Sequence, residues 1–174
     1  MNLLPLLLPL FAFADPNPCP QNTRGRTLVV ASQGGQFTTI QAALNAAQPS
    51  DTVLVRPGSY RGEIQIPRSG AAKACITLRG EKGAEIRGGK YGILIENKSY
   101  ISIQSLTISE IRGGDTPNGI LVTGASSHIE LRGNIVHHVI DSKNAHGVSV
   151  YGDTGTAISD LLIAENEIYG CELG

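Results

Sequence analysis

The sequence predicts an all-β solenoid, in which short strands are wound into stacked coils with three strands in each coil. The main observation is internal repetition: the segment GILI at 92–95 returns as GILV at 119–122 and GVSV at 147–150, at spacings of 27 and 28 residues. Apolar residues recur at every second position, as in strands that bury one face. The composition agrees, since 21 glycines and 17% charged residues are typical of a packed, turn-rich chain.

Two further rows of strands follow the first row in constant order. The second row is ISI at 101–103, IEL at 129–131 and LLI at 161–163; the third is LTI at 106–108, NIV at 134–136 and NEI at 166–168. One coil of this length cannot enclose a hydrophobic core, whereas stacked coils bury continuous files of like side chains. We therefore expect parallel ladders with Ile95, Val122 and Val150 in one inward file.

An asparagine recurs at one bend of the coil. Asn134 and Asn166 occupy the same bend, between the second and third rows. Asparagine tolerates a left-handed backbone, and stacked carboxamides can form hydrogen bonds along the coil axis, so we expect a structural ladder there.

His137 and His138 are neighbours in an alternating strand, which places one inward and one outward and makes them poor joint metal ligands.

One segment has a helical pattern. Residues 38–47 place Ile40, Ala43, Leu44 and Ala47 on a single face. Thr38 and Gln41 have the spacing of a capping box, and Pro49 stops the helix.

The first 14 residues, MNLLPLLLPLFAFA, have the pattern of a signal peptide that is cut before Asp15. Residues 15–26 are then an N-terminal extension, and 27–174 form the solenoid domain. The apolar run is too short to cross a membrane, so we expect a secreted or periplasmic protein without a membrane contact after cleavage. Three cysteines permit one pair at most, and we expect Cys75 to be a small buried residue rather than a catalytic thiol.

Charge and aromatic content narrow the range of partners. Fourteen Lys and Arg against 15 Asp and Glu give a net charge of −1, which provides no positive field for nucleic acid. Aromatic residues make up only 5% of the chain. We therefore expect polar groups to hold any ligand.

The segment TIQAALNAAQPSDTVLVRPGSY at 39–60, together with the Gly-Ile coils, resembles the right-handed parallel β-helix proteins of the pectate-lyase-like superfamily. The resemblance covers residues 27–174, with Ser50 where the family usually has glycine. It implies that the helix plugs the N-terminal end of the coils. It also implies action on polysaccharides outside the cell, in a groove formed by the first row and the loops that lead into it.

For this groove the resemblance implies β-elimination from an acidic, uronate-containing polysaccharide, with Ca²⁺ neutralising the sugar carboxylate. The catalytic candidates are Lys143, Arg112 and His146; the substrate-binding candidates are Asn118, Asn144 and Tyr151; the metal candidates are Asp115 and Asp141. Each of these is also an ordinary residue type for an exposed loop. The clustered aspartates of calcium-dependent lyases are absent from the sequence. A noncatalytic carbohydrate-binding or surface module, a glycoside hydrolase and an epimerase stay open as alternatives.

The sequence stops at Gly174 within the repeat pattern, without an amphipathic cap. Solenoids need terminal caps, because the last coil otherwise exposes strand edges and apolar side chains such as Ile163 and Ile168. We expect the chain to be the N-terminal portion of a longer protein, or to be covered by another chain through self-association of this last coil.

Overall fold

The computed structural model describes residues 17–19, 25–140 and 144–172. Fifteen strands and one short helix wind into a solenoid of about four turns. The helix α1 is Ile40–Ala46, and the strands are β1 (Thr27–Val30), β2 (Thr52–Val55), β3 (Gly58–Arg61), β4 (Ile64–Gln65), β5 (Ile76–Gly80), β6 (Ala84–Arg87), β7 (Tyr91–Glu96), β8 (Ser99–Gln104), β9 (Thr107–Ile111), β10 (Asn118–Thr123), β11 (Ser127–Arg132), β12 (Ile135–Val139), β13 (His146–Tyr151), β14 (Ser159–Ala164) and β15 (Glu167–Tyr169).

The strands form three parallel sheets, one for each predicted row. The first-row sheet has the order β4-β7-β10-β13, the second-row sheet β1-β2-β5-β8-β11-β14, and the third-row sheet β3-β6-β9-β12-β15. Ile95 pairs with Val122 and Val122 with Val150, so equivalent residues lie one coil apart. The prediction of a right-handed parallel β-helix with three strands per coil and a short N-terminal helix is confirmed.

The core consists of the predicted inward files. Ile95 and Val122 are fully buried, whereas Val150, in the last described coil of that sheet, is 36% exposed. Thr123 is also buried, although strand alternation after the inward Val122 would turn it outward. Because each inward side chain packs on its counterparts in the coils on either side, the core is continuous along the axis and weakest at its last coil.

The helix begins one residue later than the capping-box prediction. Thr39, not Thr38, is the N-cap, and its hydroxyl accepts a hydrogen bond from the Ala42 N–H at 3.3 Å. The Gln41 carboxamide pairs with both backbone groups of Gln65, at 2.9 and 3.0 Å. Gln41 therefore ties the helix to β4 instead of closing a capping box.

The predicted asparagine ladder is present at the bend after the second-row sheet. The Asn134 carboxamide accepts from the Leu106 N–H at 3.1 Å and donates to the oxygens of Ile103 and Asn166, both at 3.0 Å. The left-handed position is the residue before each equivalent bend position, at Ser105, Gly133 and Glu165. The prediction that asparagine takes this backbone conformation was therefore wrong, and its role is hydrogen bonding.

A disulfide joins Cys19 to Cys75, across 56 positions of sequence, and Cys171 is a free thiol. Cys75 is buried as expected. The predicted signal peptide lies outside the described residues, as do positions 15, 16 and 20–24 of the predicted extension. In the described part of the chain, no helix is long and apolar enough to cross a membrane.

The Asp51 side chain links the residue before β1 to the segment after the helix through hydrogen bonds. Its buried carboxylate accepts hydrogen bonds from the backbone N–H groups of Arg26 and Gln48, both at 2.9 Å, and from the Arg26 guanidinium. Burial by itself raises the pKa of Asp51, but these hydrogen bonds and the Arg26 charge outweigh it and hold the pKa below its ordinary value. The ionised carboxylate thus stabilises the first coil.

Candidate functional site

A file of glycines forms the corner where each coil enters the first-row sheet. A Cβ atom on Gly119 would lie 2.4 Å from Val136 Cγ1 and 2.4 Å from the Gly147 carbonyl oxygen. A Cβ on Gly92 would meet the same two kinds of atom, and a Cβ on Gly147 would meet the Ile168 side chain at 2.4 Å. Only glycine fits this close approach, which explains why the motif repeats. The residue before each glycine, at positions 91, 118 and 146, therefore starts its strand in register with the others.

A groove of about 460 Å³ lies beside β10 and β13, at the first-row sheet. Three predicted site residues, Asn118, His146 and Tyr151, line it together. The His146 N–H donates to the Pro117 carbonyl at 2.9 Å, which fixes the start of β13 against the preceding coil. The other lining residues that the structure describes are Thr116, Leu121, Val148, Ser149 and Val150.

Asn118 is 4% exposed. Its Nδ2 donates to the Thr116 carbonyl at 2.7 Å, whereas its Oδ1 is buried and has no hydrogen-bond partner. Turning the carboxamide over would place oxygen against the Thr116 oxygen, so the bond fixes its orientation. The groove lining therefore includes a buried carboxamide oxygen without a hydrogen-bond partner among the described residues, which is costly for a buried acceptor.

The first-row sheet continues past this groove to β7 and β4. A smaller hollow of about 180 Å³ lies beside Leu94, Glu96 and Lys98. Tyr91 starts β7 in register with Asn118, and its hydroxyl accepts from Gln65 Nε2 at 2.7 Å. Polar side chains thus extend over several coils of the same sheet.

The remaining candidates do not join the groove lining. Arg112 is exposed and its guanidinium donates to Glu110 Oε2 at 2.8 Å; Asp115 and Asn144 are exposed on loops that precede β10 and β13. Asp141 and Lys143 lie outside the described residues.

The predicted metal ligands bring few oxygen atoms together. Within residues 17–19, 25–140 and 144–172, no group of three or more His, Cys, Asp or Glu side chains is gathered. Asp115 alone supplies too few ligands for Ca²⁺, which takes six to eight oxygens. The calcium site stays a prediction, because its second expected ligand, Asp141, lies outside the described residues.

Sequence reasoning missed Thr116 as a lining residue. Leu121 and Ser149 alternate with the inward residues of their strands, but no sequence feature predicts that they line a groove. Thr116 lies on an irregular loop, where no periodic signal exists.

The fold and the site define a parallel β-helix protein with a polar groove beside β10 and β13, the last two described strands of its first-row sheet. No family model matches the chain. The uncharacterized protein YwoF of Bacillus subtilis (strain 168) is 29% identical over 153 residues, which are 79% of this chain and 31% of YwoF. The chain thus spans about a third of the length of this relative.

Two solved structures share the fold. An alginate lyase from Paenibacillus sp. str. FPU-7 matches with a TM-score of 0.52 and 19% identity, over 83% of this chain and 58% of the lyase. The pectin methylesterase from Aspergillus niger matches with a TM-score of 0.54 and 16% identity, over 89% of this chain and 57% of the esterase. At these identities the likeness is one of architecture.

Proposed function

We propose that this chain is a secreted polysaccharide-active protein that binds an acidic glycan in the groove of the first-row sheet and cleaves it by β-elimination. The observation that carries the proposal is that Asn118 on one coil and His146 and Tyr151 on the next line one groove. Both structural neighbours are named as enzymes of polysaccharides, alginate and pectin, which supports the glycan as the ligand class.

The groove suits a sugar chain. Polar side chains make up much of its lining, and the half-exposed Tyr151 offers a ring face on which a sugar can stack. His146 and Tyr151 are the two ends of a six-residue strand, about 17 Å apart at the usual rise per residue. Contacts over this length favour an oligomeric glycan over a single sugar.

In the proposed reaction, a base removes the proton at C5 of a uronate, a double bond forms between C4 and C5, and the C4–O4 bond breaks with a proton passing to the leaving oxygen. His146 is the first choice for the base, because neutral imidazole is a good acceptor near neutral pH and this residue lines the groove. Lys143 and Arg112 are the alternative bases. Asn144 is a proposed contact of the glycan from the loop before β13.

Export is part of the proposal. Disulfides such as Cys19–Cys75 form and persist in oxidising compartments, which agrees with the signal peptide predicted from residues 1–14. The glycans proposed as ligands are found outside the cell as well.

The test is incubation with polygalacturonate and with alginate, with and without Ca²⁺. Ultraviolet absorbance from an unsaturated uronide supports elimination; new reducing ends without that absorbance indicate hydrolysis; binding without either product indicates a noncatalytic module. His146→Ala, Lys143→Ala and Arg112→Ala identify the base, and His138→Ala, an exposed histidine on the third-row sheet, is the matched control. An unchanged rate in all three variants excludes these bases.

We also propose that a second copy of the chain covers the last coil. Ile163 and Ile168 are 46% and 38% exposed there, and β13, β14 and β15 each have a strand neighbour on one side only within the described residues. Open backbone edges and exposed apolar side chains are the features through which strands add to one another. Sedimentation velocity should show a dimer that Ile168→Lys dissociates, and a monomer at all concentrations contradicts the proposal.

A further inference from the structure

Two histidine side chains meet on the third-row sheet, on β12 and away from the groove. His137 Nδ1 and His138 Nδ1 lie 2.6 Å apart. His138 is exposed and His137 is half-buried. The expectation that one points inward was therefore wrong, and the pair lies at the solvent face of the sheet.

The backbone explains why adjacent residues face the same side. His138 has a left-handed φ of 52°, which interrupts the alternation of β12, and Val139 after it is fully buried. Glu110 and Gly170, at the equivalent positions of neighbouring coils, have φ values of 53° and 59°. The interruption is thus a repeated feature of this sheet, and it presents both imidazoles together in a defined place.

Neighbouring groups hold the His137 ring. The Tyr169 ring stacks on it with centroids 5.1 Å apart and an angle of 13° between the planes. The His138 ring meets the His137 ring edge to face, at 4.9 Å. His137 is therefore anchored, and the exposed His138 ring has room to turn.

We propose that His137 and His138 bind a divalent transition-metal ion through their two Nδ1 atoms. A contact of 2.6 Å requires one Nδ1 to carry a proton and the other a lone pair. Moving that proton to Nε2 of its own ring leaves a lone pair on each Nδ1 without a change of charge. The two lone pairs then face each other, and a turn of the His138 ring directs both at an ion beside them. Imidazole suits Zn²⁺, Ni²⁺ and Cu²⁺, and Cu²⁺ binds most tightly in this series.

The geometry needs a small adjustment. Metal–nitrogen bonds of about 2.0 to 2.1 Å, set roughly 90° to 109° apart, separate two nitrogen ligands by about 2.8 to 3.4 Å. A modest turn of the His138 ring provides that separation. Since the described residues gather no third His, Cys, Asp or Glu ligand here, water completes the coordination and the ion stays open to solvent.

The experiment is titration of the full chain with CuCl₂ and with ZnCl₂ by calorimetry, with electron paramagnetic resonance of the Cu²⁺ form. His138→Asn removes the imidazole and keeps a residue type that tolerates the left-handed backbone. The matched control is His128→Asn, because His128 also has a left-handed φ, 54°, on the second-row sheet. We expect His137→Asn and His138→Asn to weaken binding by at least about tenfold, the low end of what loss of even an outer-shell partner costs.

The expected result also includes nitrogen coupling in the wild-type Cu²⁺ spectrum that both variants lose and His128→Asn keeps. Absence of binding to the wild-type chain overturns the proposal. Equal affinity in wild type and His138→Asn, or a loss confined to His128→Asn, overturns it as well.

Discussion

Replacing Asn134 by alanine tests the stacking of the coils directly. The Asn134 side chain is fully buried and makes hydrogen bonds to Leu106, Ile103 and Asn166 in the coils on either side. Alanine removes all three and leaves the Leu106 N–H without the acceptor that it has in the structure. A buried donor left unpaired costs about 1 to 3 kcal/mol, and each lost hydrogen bond about 1 kcal/mol.

We therefore expect Asn134→Ala to lower the free energy of unfolding by about 3 kcal/mol. Urea unfolding followed by far-ultraviolet circular dichroism measures the loss as a shift of the transition midpoint at constant slope. The matched variant Asn166→Ala should cost less, about 1 kcal/mol, because water reaches this half-buried residue and replaces part of its hydrogen bonding. A loss below 1 kcal/mol for Asn134→Ala, or a larger loss for Asn166→Ala, refutes the ladder as a source of stability.

Three further predictions concern other parts of the solenoid. Gly119→Ala should destabilise by about 2 kcal/mol, since its Cβ would overlap Val136 and the next coil, and thermal unfolding will measure this. Cys75→Ser should cost about 4 kcal/mol, from the entropy of the loop that the disulfide closes, whereas Cys171→Ser should leave the urea midpoint unchanged. Folding lowers the pKa of Asp51 from its ordinary 3.8. The ionised carboxylate therefore adds to the free energy of unfolding above this pH, and that stabilisation is lost as the pH falls below it. Acid unfolding of Asp51→Asn should therefore show a weaker pH dependence than wild type; equal pH dependence contradicts this.

The rows of strands were predictable because their signal is periodic. Ile95, Val122 and Val150 recur at nearly constant spacing, and only stacked coils bury such residues together. The asparagine ladder was predictable for the same reason, since Asn134 and Asn166 keep their position relative to the strands.

The details that sequence reasoning missed depend on contacts between distant residues or on single backbone angles. Gln41 does not close the predicted capping box, because its carboxamide binds the backbone N–H and carbonyl of Gln65, 24 positions away. His138 faces outward because one left-handed residue shifts the alternation of β12. Positive φ is uncommon for every residue type except glycine, so a single histidine does not predict it.

The candidate site was predicted in part. Asn118, His146 and Tyr151 were placed from the position of their loops and strand relative to the first row, and they line the same groove. The unpaired Asn118 Oδ1 could not be predicted from the sequence, because it depends on the orientation that one hydrogen bond to Thr116 gives the carboxamide.

The glycine corners make the coils modular. Gly92 and Gly119 turn the chain in the same way, and the strands that follow them pair in register. Tandem duplication of the 27 residues from Gly92 through Asn118 would add one coil with matching edges on both sides. Such an insertion would lengthen the molecule by about 4.8 Å, the spacing of neighbouring strands, and would widen the first-row sheet by one strand without a new core.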